Sequence, residues 1–111
     1  KVVVEIWAGL GLLALHLGDV AKRVYAIDAN PAWAWCFVGV LYAAKPKNVT
    51  YIFGAADEVI GQIRADVALF CTHSGQAAMR RIARKFAPVV IDVYGEILAK
   101  QREASVVRVN P

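Results

Sequence analysis

Short apolar runs alternate along the chain with segments whose apolar residues recur at helical spacing. That is the pattern of a parallel sheet wound with crossover helices. Residues 2–7, Val-Val-Val-Glu-Ile-Trp, read as a first strand, followed by a glycine turn and a helix over 12–17 that Gly18 ends. A second strand is predicted over 23–29, where Val24, Tyr25 and Ile27 supply β-branched and aromatic content. Asn30 and Pro31 form a good helix start, the first as N-cap and the second at the first helical position, and the helix should run to residue 44. A third strand follows over 48–54, then a short helix over 56–63 with Asp57 and Glu58 in its first turn, the right sign for its dipole. Residues 65–72 form a fourth strand. The next helix opens at Ser74 or Gly75 and sets Met79, Ile82, Ala83 and Phe86 on its apolar face, with Arg80, Arg81, Arg84 and Lys85 facing water. The run 88–94 is nearly all apolar and is expected to be a strand buried on both faces. A last short helix over 96–102 and a last strand over 105–109 complete the reading. No repeat, linker or low-complexity segment interrupts it, so residues 1–111 are expected to form one three-layer α/β domain.

Composition narrows the class. A chain of 111 residues supports one core, and 59% hydrophobic against 20% charged residues excludes a disordered or solvated tail. So apolar a small domain is expected to turn some surface toward a partner. The net charge of +4 permits contact with nucleic acid or other anions without demanding it. Cys36 and Cys71 lie far apart, with no metal-binding spacing around them, and are expected to be buried reduced thiols. The longest uncharged stretch, residues 29–44, falls short of the roughly 20 apolar residues a membrane helix needs. A soluble cytoplasmic protein is the expectation. The sequence begins at Lys1, without a methionine, inside a predicted strand, so truncation at the ends is expected.

In α/β sheets of this kind ligands bind beyond the carboxyl ends of the strands, at the point where strand order reverses. The most informative end is the first, Glu5-Ile6-Trp7-Ala8-Gly9-Leu10-Gly11, followed one strand later by Asp28. Glycines there let backbone approach a ligand closely, and a carboxylate ending the second strand can accept hydrogen bonds from both hydroxyls of a ribose.

At these residues the sequence resembles the class I S-adenosylmethionine-dependent methyltransferases, which have a Rossmann-like fold. Their first motif is an acidic residue ending the first strand and then a loop of the type Gly-x-Gly-x-Gly. Glu5, Gly9 and Gly11 match it, with Trp7 in the first glycine position. The run Val24 to Pro31, Val-Tyr-Ala-Ile-Asp-Ala-Asn-Pro, resembles the family's second strand, whose acidic residue holds the donor's ribose. The third-strand segment ends Phe53-Gly54-Ala55-Ala56-Asp57, where a relative usually carries an acidic residue directly after the glycine, beside adenine; here that place is Ala55, with Asp57 as a substitute two positions on. The resemblance spans residues 2–93 and implies donor binding by Glu5, Trp7, Gly9, Gly11, Asp28, Ala29, Ala55, Ala56, Asp57 and Cys71. The family's last two strands are missing or reduced to 105–109. The Asn-Pro-Pro-Tyr type of motif found in amine-methylating relatives is absent from Cys71-Thr72-His73-Ser74, which disfavours methylation of an exocyclic base amine. His73 is the candidate proton acceptor beside the substrate.

Other readings stay open. Gly9-Leu10-Gly11-Leu12-Leu13-Ala14 also satisfies the Gly-x-Gly-x-x-Ala pattern of NAD(P)-dependent oxidoreductases, with Asp28 nineteen residues after Gly9. Register tells against it, because the first glycine should follow the strand directly, at Trp7, and Glu5 would have no role. A non-catalytic domain that keeps the fold and acts by association is the other alternative. The helix over residues 32–44 is uncharged throughout and carries Trp33, Phe37 and Val40 on one stripe and Trp35, Val38 and Tyr42 on another. One stripe should meet the sheet and the other a second subunit, predicting a homodimer. Arg80, Arg81, Arg84 and Lys85 are a possible grip on RNA phosphates, with a solvated helical face the favoured explanation.

Overall fold

The computed structural model describes residues 1–9, 11–72 and 74–109, with side chains through residue 102. Five strands form a single sheet: β1 (Val2–Ile6), β2 (Arg23–Asp28), β3 (Val49–Phe53), β4 (Val67–Phe70) and β5 (Val89–Asp92), in the order β3-β2-β1-β4-β5. Every pairing is parallel. Connections run outward from β1 through β2 to β3, then cross back to β4 and out to β5. The reversal lies between β1 and β4, where a crevice opens beyond the strand ends.

Helices α1 (Leu12–Leu17) and α2 (Pro31–Ala44) cover one face, and α3 (Ala56–Val59) and α4 (Gln76–Ala83) the other. Alternation along the strands produces the two cores. Val4, Ile6, Ala68 and Phe70 pack with Val59, Met79, Ala83 and Phe86 on the α3–α4 side. Val24, Ala26 and Val49 pack with Ala14 and Phe37 on the other. Asn30 caps α2 by accepting a 3.0 Å bond from the Ala32 N–H, and Pro31 takes the first helical position.

Four expectations are corrected. The sheet's end strand is β5, not a strand over 105–109: helix α5 (Val93–Val109) starts directly after β5 and continues through both predicted segments. Because β5 is an edge, Val89 and Ile91 are exposed and the strand is not buried on both faces. Cys36 and Cys71 are free but exposed, since α2 turns the first outward and the second lies past the end of β4. Of the two apolar stripes on α2, Phe37 alone is buried, stacked on Tyr51 with centroids 4.3 Å apart, while Trp33 stays outside the core. The basic face of α4 is also not wholly solvated, because Arg80 pairs with the buried Asp92 at 3.4 Å. No helix among the described residues is long and apolar enough to cross a membrane.

Candidate functional site

The segment after β1 is built from left-handed backbone. Trp7, Gly9 and Gly11 have φ of 58°, 60° and 76°. Glycine takes such angles freely, whereas the tryptophan is held there at a cost of roughly 1–3 kcal/mol. The two glycines serve different ends. A Cβ on Gly9 would meet nothing within 4 Å, so its backbone faces open space. A Cβ on Gly11 would land in the Phe37 ring, so Gly11 lets the loop lie directly on α2. Gly11 is therefore a packing residue beneath the site, not part of its wall.

Asp28 ties the site together. Its Oδ2 accepts a 2.8 Å bond from the Gly9 N–H and its Oδ1 a 2.8 Å bond from the Asn30 N–H. One buried carboxylate thus fixes the loop after β1 and the start of α2 against the end of β2. A carboxylate offers about four lone-pair positions, so two remain for a ligand's hydroxyls. Glu5 lies beneath, buried, bonded to the Ala14 backbone, with Oε1 lacking any partner. Burial, reinforced by the neighbouring Asp28 charge and opposed by the Ala14 bond, pushes its carboxyl up to about 7.

Above these residues lies an open cavity of about 430 Å³, lined by Trp7, Gly9, Asp28, Ala29, Asn30, Trp33, Cys71 and Thr72. Trp7, Gly9, Asp28, Ala29 and Cys71 are therefore brought together as the sequence predicts. Ala55, Ala56 and Asp57 do not line it. Ala55 caps α3, Asp57 is exposed on its first turn, and the Ala56 side chain is buried in the α3–α4 core, leaving only its backbone for a ligand. His73 lies outside the described residues. Asn30, Trp33 and Thr72 were not among the predicted lining residues. Thr72 was legible as the neighbour of Cys71, while Trp33 reads from periodicity as a core residue. Among the described residues no group of His, Cys, Asp and Glu side chains could hold a metal ion.

No protein-family model and no curated protein matches the sequence. Solved structures do match. The precorrin 8w decarboxylase of Methanobacterium thermoautotrophicum superimposes with a TM-score of 0.67 at 26% identity, over 96% of this chain and 62% of that one. An rRNA methylase from Streptococcus thermophilus gives 0.65 at 16% identity, over 91% of this chain and 68% of that one. M. jannaschii TYW2 in complex with AdoMet gives 0.70 at 24% identity, over 78% and 40%. The fold is that of the class I S-adenosylmethionine-dependent methyltransferases. Within this methyltransferase fold the chain spans between 40% and 68% of the length of the three structures named. The glycine loop, Asp28 and the cavity occupy the switch point of that fold, at the carboxyl ends of β1, β2 and β4.

Proposed function

We propose that the chain binds S-adenosylmethionine in the cavity over Gly9 and Asp28 and transfers its methyl group to an acceptor. The observation that carries this reading is the pairing of an open glycine backbone with two buried carboxylates at the switch point of a methyltransferase fold. The residues fit the donor's chemistry: Asp28 keeps acceptor capacity for ribose hydroxyls, and the orphaned Glu5 oxygen places negative character below a cationic group. Ala55 and Asp57 are assigned to the adenine end. Structures of TYW2 and of DhpI, each solved with an adenosyl ligand, support the assignment.

When bound, the donor supplies a methyl group already activated by its sulfonium charge. The protein's task is then placement and exclusion of water, so a strong acid–base pair is not required. Trp7, Cys71 and Thr72 border the acceptor side of the cavity, and His73 is assigned to accept the proton an acceptor releases.

A second reading, association without catalysis, rests on the apolar outer face of α2. Trp35 and Tyr42 are 78% and 80% exposed there, and a homodimer through residues 32–44 is proposed on that basis. One experiment separates the readings: thermal unfolding with S-adenosylmethionine, S-adenosylhomocysteine or NAD. A ligand at 100 times its Kd adds about 2.7 kcal/mol, a rise on the order of 10 °C for a domain of this size. The adenosyl ligands are expected to raise Tm and Asp28→Ala to abolish the rise. A rise with NAD alone overturns donor binding, and no rise with any ligand leaves association as the function.

A further inference from the structure

A second cavity, of about 330 Å³, opens beside the first and is lined by Trp7, Cys71, Thr72, Ser74 and Tyr94. Trp7, Cys71 and Thr72 belong to both cavities, so whatever fills the second abuts the first. Trp7 takes the costly left-handed backbone, yet half of its surface is exposed and it belongs to neither core. The indole is therefore presented to the cavities and does not fill the interior. Backbone strain of this kind gathers where a ligand is gripped.

The topology gives the slot its width. Trp7 directly follows β1, Tyr94 comes two residues after β5, and β4 lies between those strands. Neighbouring strands stand about 4.8 Å apart, so the two aromatic residues rise from supports about 10 Å apart. A ring sandwiched between two others needs about 7 Å between the outer planes, twice a carbon–carbon contact of about 3.5 Å. One planar ring fits that gap. The floor between them is the end of β4, where Cys71 and Thr72 supply a thiol and a hydroxyl, and the Thr72 Oγ1 is buried without a hydrogen-bond partner. No charged side chain is among the residues lining this cavity.

We propose that Trp7 and Tyr94 form an aromatic clamp that selects a neutral, planar aromatic acceptor, whose polar edge meets the Thr72 hydroxyl. Its role as an acceptor subsite rests on the donor reading given above; the ring preference does not. The clamp discriminates against saturated rings, which lack a stacking face, and against ionised groups, which none of its lining side chains would neutralise.

The test is a titration followed through the tryptophan indole N–H resonances, with Trp7 assigned by Trp7→Phe. The probes are 1-naphthol, its saturated counterpart decahydro-1-naphthol and the anion 1-naphthoate, each with and without saturating S-adenosylhomocysteine. 1-Naphthol is expected to shift the Trp7 resonance and to bind about tenfold more tightly than either comparator, the sum of two stacking contacts. Tyr94→Leu, confirmed as folded by its thermal midpoint, is expected to erase that preference. Equal affinity for the planar and saturated alcohols overturns the clamp without recourse to any variant, as does a preference that survives both Tyr94→Leu and Trp7→Leu. A separate titration with S-adenosylhomocysteine isolates the donor reading: failure to bind it removes the acceptor role, while the naphthol comparison still decides the ring preference.

Discussion

Glu5 shows how much one side chain can carry. A carboxyl that is buried with one oxygen unpartnered holds its proton until about pH 7, against an ordinary value of 4.5. Below pH 4.5 the folded and unfolded chains are both protonated, and the group is neutral in its effect on stability. Between 4.5 and 7 the unfolded chain ionises first, so stability falls as pH rises and levels off once the folded chain ionises as well. The shift amounts to roughly 3 kcal/mol. Glu5→Gln removes the titration, so the variant is expected to melt above the parent at pH 8.5, with the difference shrinking toward zero by pH 5. Parallel curves for the two proteins across that range would show that Glu5 is not held protonated by the fold. The same property suits a donor site, because a cationic ligand above Glu5 favours the ionised form that burial disfavours.

At the scale of elements, the loop after β1 and helix α2 are one unit. Asp28 holds both by its two oxygens, and Gly11 lies against the Phe37 ring that seats α2 on Tyr51 and the sheet. Gly11→Ala adds a methyl where the ring already is, on top of a left-handed backbone, and is expected to cost roughly 3 kcal/mol. Gly9→Ala meets no atom and bears only the backbone term, about 1–2 kcal/mol. Denaturant unfolding of the pair checks this; equal losses would mean that the contact with Phe37 is not what requires glycine at position 11. The functional consequences are expected to run the other way, since Gly9 lines the donor cavity and Gly11 does not.

Across the whole molecule, apolar surface is concentrated along one side. Trp35, Val38 and Tyr42 on α2 and Phe53 on the edge strand β3 are all exposed, and Pro31, Ala34, Trp35, Val38 and Phe53 enclose a groove of about 260 Å³. None of these residues is charged, so nothing in the groove opposes burial against a like surface. The proposed homodimer uses this side, and light scattering behind size exclusion is expected to give twice the monomer mass. Trp35→Asp places a charge at the centre of the face and is expected to yield monomer with an unchanged thermal midpoint. A variant that stays dimeric sets the interface elsewhere. On the opposite edge Arg80 is committed to Asp92, which leaves Arg81, Arg84 and Lys85 as the exposed cations of that region.

The sequence by itself determined what depends on neighbours along the chain. Alternation and helical spacing placed all five strands and the first four helices, and the Asn30–Pro31 start of α2 was readable to the residue. The carboxylates Glu5 and Asp28 and the glycines between them were legible too, because that loop needs its residue types at fixed offsets. Only the tertiary structure decided matters that depend on what lies across the sheet. It made β5 an edge and carried α5 through the segment predicted as a sixth strand, since an apolar run does not reveal whether another strand pairs with it. It separated Gly9, which faces a cavity, from Gly11, which faces Phe37, a distinction set by a ring 26 residues away in sequence. It also turned Trp7 out of the core and set it two strands from Tyr94, a pairing with no local signal because strand order, not chain order, brings the two together.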